Sequence, residues 1–319
     1  MPLLPEVPSA AHYYQHLRHA APYEAAVAEL CARHGLPLDV PRRKYPAGNA
    51  IVFAVGEAHV VKLFAPPFAE GAHTEARVLA HVDGRLGVPT PTLRASGTLE
   101  GWPYLVMSQL PGVSLEEAWP RIPVAQREAL LAQLGAALAR LHALPPLDVP
   151  PPHGSWERFV RTQREGCVER QRSRGLADAW LLQIPGFLER TLAQPESAAP
   201  TALLHTEVMR AHTLVQADAA GRWTLSGLFD FEPAMQGHPD YELASVGVFL
   251  SGGEPALLRA FCEGYGWPDG ALPRAVRRRA LAFALLHRYS NLRWYLETVP
   301  PPPGCDTLEG LAEAWWGTE

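Results

Sequence analysis

The stretch from Leu203 to Asp240 constrains the fold more than any other part of this 319-residue chain. It opens on a short apolar run, Leu203-Leu204, and a polar cluster, His205, Thr206 and Glu207. A second run, Thr213-Leu214-Val215, leads to a turn at Asp218-Ala219-Ala220-Gly221, and a third, Trp223 to Phe229, ends at Asp230. Two strand-like runs around a glycine-containing turn predict a β-hairpin. One acid therefore stands in the loop before the hairpin and another directly after it. Such a pair suits phosphoryl transfer, where one carboxylate orients an attacking hydroxyl and another holds a metal that bridges the phosphates. Asp230 ends a strand and precedes a loop and a helix, a position where a magnesium carboxylate belongs. The helix after it starts near His238-Pro239, too far on for Asp230 to cap it.

A second signal lies in the basic residues. Of 28 lysines and arginines only Lys44 and Lys62 are lysine, so a generic positive charge in this chain is an arginine. Yet Lys62 stands within Val60-Val61-Lys62-Leu63-Phe64, where a charge is costly unless paired. An edge strand with the lysine in water is the plain alternative. A phosphate contact is the functional one, since a compact, flexible ammonium suits it. Residues 71–82 follow as a predicted helix with Ala72, Glu75, Leu79 and Val82 on one face. An acid on an apolar face asks for a cation, and Lys62 is the nearby one.

The rest of the chain alternates between strand and helix patterns. A helix is expected over 9–33, a hairpin over 51–64, and strands around 92–97 and 102–107. Beyond Pro123 the pattern turns helical, with segments at 156–172, 176–192, 241–250, 254–263, a long one at 274–297, and a last one carrying Trp315 and Trp316. A net charge of −5 gives no sign of nucleic-acid binding. Four scattered cysteines without metal-site spacing read as reduced thiols, and no apolar run is long enough to cross a bilayer. The N-terminus lacks the basic and apolar regions of a signal peptide. A cytoplasmic protein, monomer or homodimer, without nucleic-acid or membrane partners, is expected.

His205-Thr206-Glu207 followed by His212, and Phe229-Asp230-Phe231-Glu232 followed by Gly237-His238-Pro239-Asp240-Tyr241-Glu242-Leu243-Ala244, resemble the catalytic and metal-binding segments of the aminoglycoside phosphotransferase family. The chain keeps the first histidine and departs at three positions: Thr206 for glycine, Glu207 for aspartate and His212 for asparagine. The resemblance implies an α+β, protein-kinase-like two-lobed fold. A small N-terminal antiparallel sheet lobe, 1–108, would be followed by a larger, mainly helical lobe, 109–319. It implies Glu207 as the catalytic carboxylate and a Lys62–Glu75 pair at the nucleotide. Asn49, in the loop Tyr45-Pro46-Ala47-Gly48-Asn49, would lie over the phosphates, and Gln109 and Leu110 in the hinge would meet the base. Asp230 and His212 would hold the metal. ATP or GTP is the implied donor, with magnesium, or manganese since imidazole suits it better. The acceptor is a small molecule, and the acids Glu232, Asp240 and Glu242 would favour a cationic one. His205 reads as a structural histidine under the loop; a metal site of His205, His212 and Glu207 has no recognised ligand spacing. Three readings stay open: an active small-molecule kinase, a nucleotide-binding pseudokinase, or another nucleotide-dependent transfer.

Overall fold

The computed structural model describes residues 2–18, 23–46, 48–192 and 201–319. Part of the first expected helix (19–22) and Ala47 of the expected phosphate loop lie outside the described residues. The chain divides into two compact units. The first comprises Met1–Gly84, Pro89–Pro111 and Gly227–Pro233; the second comprises Arg85–Val88, Gly112–Ser226 and Ala234–Glu319.

In the first unit, helix α1 (Glu24–Arg33) precedes strands β1 (Arg42–Lys44), β2 (Ile51–Val55) and β3 (His59–Leu63). Helix α2 (Ala69–Val82) and strands β4 (Leu93–Leu99) and β5 (Trp102–Ser108) follow. The five strands form one antiparallel sheet in the order β1-β2-β3-β5-β4. Val61 and Leu63 of β3 join Val27, Leu30 and Cys31 of α1 and Trp102 and Val106 of β5 in one core. Side chains alternate along a strand, so Lys62 emerges on the opposite face. It pairs with Val52 on one side and Leu105 on the other. The lysine therefore stands on a central strand, and the edge-strand alternative does not hold.

The second unit holds two small sheets and most of the helices. Strands β6 (Val113–Ser114), β8 (Thr213–Ala217) and β9 (Trp223–Leu228) make one, in the order β6-β8-β9. Strand β7 (Ala202–Leu204) pairs antiparallel with β10 (Met235–Gly237). The expected turn at 218–221 forms, with the Asp218 carboxylate accepting from the Ala220 and Arg222 amides. Helices α3 (Val124–His142), α4 (Trp156–Ser173), α5 (Ile184–Leu192), α6 (Pro255–Tyr265), α7 (Arg274–Leu286), α8 (Leu292–Thr298) and α9 (Leu308–Trp316) surround the sheets. Helices α3 and α6 approach at backbone contact: a Cβ on Gly264 would meet the Ala132 carbonyl at 1.9 Å, and one on Gly135 the Phe261 carbonyl at 2.1 Å. Among the described residues, no helix is long and apolar enough to cross a membrane.

The single long helix expected over 274–297 is two helices. Helix α7 stops at Leu286, His287 turns to an extended ψ of 142°, and Asn291 caps α8 through the Trp294 amide. The break is held from outside. The buried Gln171 of α4 donates to Ser290 Oγ at 2.7 Å and accepts from the Leu292 amide at 2.8 Å. Those bonds replace the helical ones lost at the break.

Candidate active site

The first group of functional side chains gathers on the α2 side of β3. Lys62 Nζ lies 2.7 Å from Glu75 Oε2, 2.7 Å from Asp230 Oδ1 and 3.4 Å from Glu232 Oε2. Glu75 comes from the apolar face of α2, where Ala72, Val78, Leu79 and Val82 are also buried. Asp230 and Glu232 come from the segment Gly227–Pro233, which belongs to this unit although it follows β9. Asp230 holds φ at 70°, a left-handed conformation that aspartate and asparagine tolerate best among side-chain-bearing residues. Burial works against the charge on Lys62, but Asp230, Glu75 and Glu232 outweigh it and hold the ammonium's pKa well above its ordinary value. Burial pushes Glu75 up to about 7 against the pull of Lys62, with the Asp230 charge adding to the rise.

Asn49 is positioned by two tyrosines. Tyr13 Oη donates to its carbonyl at 2.8 Å and Tyr14 Oη to its Oδ1 at 3.0 Å, while its Nδ2 donates to Glu232 Oε1 at 3.4 Å. Gly48, beside it, has φ +102°, which an L side chain would strain. The Gln109 amide donates to the Ala58 carbonyl at 2.9 Å. That bond carries the β3–β5 pairing one step past its His59–Ser108 end.

The second group lies in the second unit, on the loop between β7 and β8. Glu242 is buried and accepts from the His205 amide at 2.9 Å and the Thr206 amide at 2.5 Å. Burial works to raise its pKa, but the His142 and His205 rings and the His205 amide outweigh it and hold it below the usual carboxylate range. His205 is fully buried, as a structural histidine would be, and its Nδ1 accepts from the Glu207 amide at 3.3 Å. His212 Nδ1 lies 3.0 Å from the Glu207 carbonyl. A carbonyl can only accept, so Nδ1 carries a proton. The Glu207 side chain lines a cavity of about 20 Å³, room for roughly one water. Thr206, Met209, Phe249, His287 and Tyr295 line it too. Burial, with the Arg288 charge, pushes His287 down to about 4, so the ring is neutral at pH 7. Trp294, 47% exposed, stacks on Phe249 at 5.3 Å.

Thr206 has φ 72° where the resembled pattern has glycine. A left-handed β-branched residue costs about 1–2 kcal/mol. Thr206→Gly is therefore expected to be more stable than Thr206→Ala by about 1 kcal/mol, the reverse of the usual order of these two residues. Denaturant unfolding of both variants checks this, and equal midpoints would remove the strain.

Four residues take places that the sequence did not show. Glu232 and Glu242 were expected to attract a cationic acceptor. Instead Glu232 faces Lys62 and Asn49, and Glu242 holds the loop. Asp240, read the same way, pairs with Arg279 at 2.7 Å, and both are buried. His287 followed the helical spacing and carried no signal of its own.

The family model described as "Phosphotransferase enzyme family" matches residues 44–280. Viomycin phosphotransferase from Streptomyces vinaceus is 30% identical over 228 residues, covering 66% of this chain and 71% of that protein. Among solved structures, the GDP complex of wild-type aminoglycoside 2'-phosphotransferase-IIIa superimposes with a TM-score of 0.68 at 17% identity, over 91% of this chain and 97% of that one. Macrolide 2'-phosphotransferase MphH from Brachybacterium faecium gives 0.56 at 24% identity, over 87% and 98%.

Proposed function

The chain belongs to the phosphotransferase enzyme family, and from that premise we propose that it transfers the γ-phosphoryl group of ATP or GTP to a hydroxyl of a small molecule. The observation that carries this reading is the single ammonium of Lys62 clamped by Glu75 and Asp230 on a central strand. A purely structural charge has no reason to be there, because burying one is costly. In this reading Lys62 contacts the nucleotide phosphates, Glu75 positions it, Asn49 lies over the phosphates, and Gln109 and Leu110 offer backbone groups to the base. Glu207 orients the acceptor hydroxyl and receives its proton. A loose, metaphosphate-like transition state asks for positioning and charge more than for a strong base.

Magnesium fits the donor set. Hard cations prefer oxygen, and Asp230 offers a carboxylate beside Glu75 and Glu232, which are turned to Lys62. Asp230 would hold the ion, and His212 stands where the resembled pattern has its second metal residue. Bound there, the ion would neutralise charge on the transferring phosphate. Asp230→Asn, which keeps the left-handed backbone, is expected to abolish metal-dependent nucleotide binding. His212→Asn is expected to move preference from manganese to magnesium. Calorimetry with each metal reads both, and identical metal profiles for wild type and His212→Asn would take His212 out of the coordination shell.

The acceptor side is apolar. Met209, Phe249 and Tyr295 wall the cavity beside Glu207, and Asp240 and Glu242 are both committed inside the second unit. This supports an acceptor with an apolar face over a polycation. Phosphate transfer from labelled ATP and GTP to viomycin, macrolides and aminoglycosides tests the reading, and no transfer to any hydroxyl compound would sink it. The four free cysteines support a reducing, cytoplasmic setting, with the protein acting as a monomer or homodimer and without nucleic acid.

A further inference from the structure

The clamp on Lys62 carries one carboxylate more than a lysine–glutamate pair and a metal acid require. An ammonium has three N–H donors, and Lys62 Nζ faces three acids: Glu75 and Asp230, each at 2.7 Å, and Glu232 at 3.4 Å. Its hydrogen bond goes to Asp230 Oδ1, and Glu75 and Glu232 close round it at ion-pair distance, so a phosphate oxygen that approaches the ammonium competes with an acid already there. The three are not equally held. Glu75 is buried on α2, and its side chain is 2% exposed. Asp230 accepts a hydrogen bond from Nζ at the short length of charge-assisted pairs. Glu232 is the most distant of the three, beyond that length. It is the acid that yields.

Its second oxygen gives the contact direction. Glu232 Oε1 meets Asn49 Nδ2 at 3.4 Å, while Oε2 faces the lysine. One carboxylate thus bridges Lys62 and the loop that would cover the phosphates. Two oxygens on one centre, one toward an ammonium and one toward an amide N–H, reproduce what a phosphate group would present there. The cluster also holds three acids against one cation. Losing one of them to solvent is favoured once a polyanion arrives.

We infer that Glu232 sets nucleotide affinity as an internal substitute for phosphate: its carboxylate occupies Lys62 and holds Asn49 in the empty protein, and the nucleotide displaces it. The inference rests on the proposed reading of Lys62 as a phosphate contact. Calorimetric titration of ATP and GTP in EDTA, on wild type, Glu232→Gln and Glu232→Asp, tests it. Glu232→Gln removes the competing charge, and binding is expected to tighten about tenfold, the scale of one hydrogen bond to a charged group. Glu232→Asp keeps the charge but withdraws it by about 1.5 Å, out of reach of a contact already long, and is expected to tighten binding similarly. A gain in Glu232→Gln alone would mean a field effect without displacement, and would overturn the inference. So would unchanged or weaker binding in both variants beside a wild type that binds. If wild type and variants alike bind no nucleotide, with or without magnesium, the reading of Lys62 itself fails and takes this one with it. Thermal unfolding of each variant confirms that the comparison is between folded proteins.

Discussion

Glu207→Gln is expected to lower turnover by about 10²–10⁴-fold, the worth of a positioned acid or base, while leaving nucleotide affinity nearly unchanged. The substitution keeps size and polarity and removes only the charge. The backbone around it is fixed independently, with the Glu207 amide on His205 Nδ1, its carbonyl at His212 Nδ1, and the preceding amides on Glu242. A loss of rate therefore reports the carboxylate and not a collapsed loop. Glu207→Asp is expected to be slow as well, because the loop has settled around the longer side chain. Steady-state turnover on whichever acceptor is phosphorylated, with calorimetric nucleotide affinity beside it, makes the measurement. Wild-type rates in both variants would show that transfer proceeds without this group, and the protein would then be a nucleotide binder with background activity only.

Lys62→Ala is expected to remove nucleotide binding and to destabilise the first unit by about 3–5 kcal/mol, the cost of breaking a buried ion pair from one side. It leaves Glu75, Asp230 and Glu232 together with no cation among them. The loss should depend on pH, and its sign follows from Glu75. The folded pKa of Glu75, about 7, is raised above its ordinary value of 4.5. Whatever stability its protonated form confers is fully present below that ordinary value and is lost as pH rises through the folded pKa. Removing Lys62 takes away the charge that pulls this pKa down, so the variant should suffer most near pH 8 and recover part of its stability near pH 6. Adding Glu75→Gln should restore stability at pH 8 without restoring nucleotide binding. Denaturant unfolding at the two pH values decides it. A pH-independent loss would mean that Glu75 is not the group left exposed to the deficit of charge.

The parts of this architecture that were legible in the sequence are those written locally. Alternation of Val61, Lys62 and Leu63 sets which face each takes, and the rarity of lysine marks Lys62 as chosen for more than its charge. Glu75 stands out because it interrupts an apolar stripe. The illegible parts are held by partners far along the chain. Apolar residues up to Leu286 and again at Leu292 and Tyr295 suggest one helix, yet it breaks at His287–Asn291, where Gln171 bonds to Ser290 and Leu292, 119 and 121 residues away. Asn291 is a local cap signal for the second helix, but the Gln171 partner is written nowhere near it. Glu232 and Glu242 look like surface acids for the same reason. A carboxylate's sequence neighbours do not reveal whether it faces water, an ammonium, or two backbone amides. His287, the last position on the helical spacing before the break, lines the Glu207 cavity, and its spacing alone gave no sign of that.

The first unit includes Gly227–Pro233, more than a hundred residues after the rest of it. Modularity is therefore closed to this protein in its simplest form. Any fragment ending near Pro111 keeps Lys62 and Glu75 but forfeits Asp230 and Glu232, so the ammonium would face one acid instead of three. A single recombination event cannot lift the Lys62 cluster into another protein as one short contiguous piece. The cluster travels only with Gly112–Ser226 of the second unit, which is threaded between its parts. Diversification of such a chain has to proceed by substitution and by insertions within the long intervening segment, where acceptor-facing residues change while the Lys62 cluster stays whole.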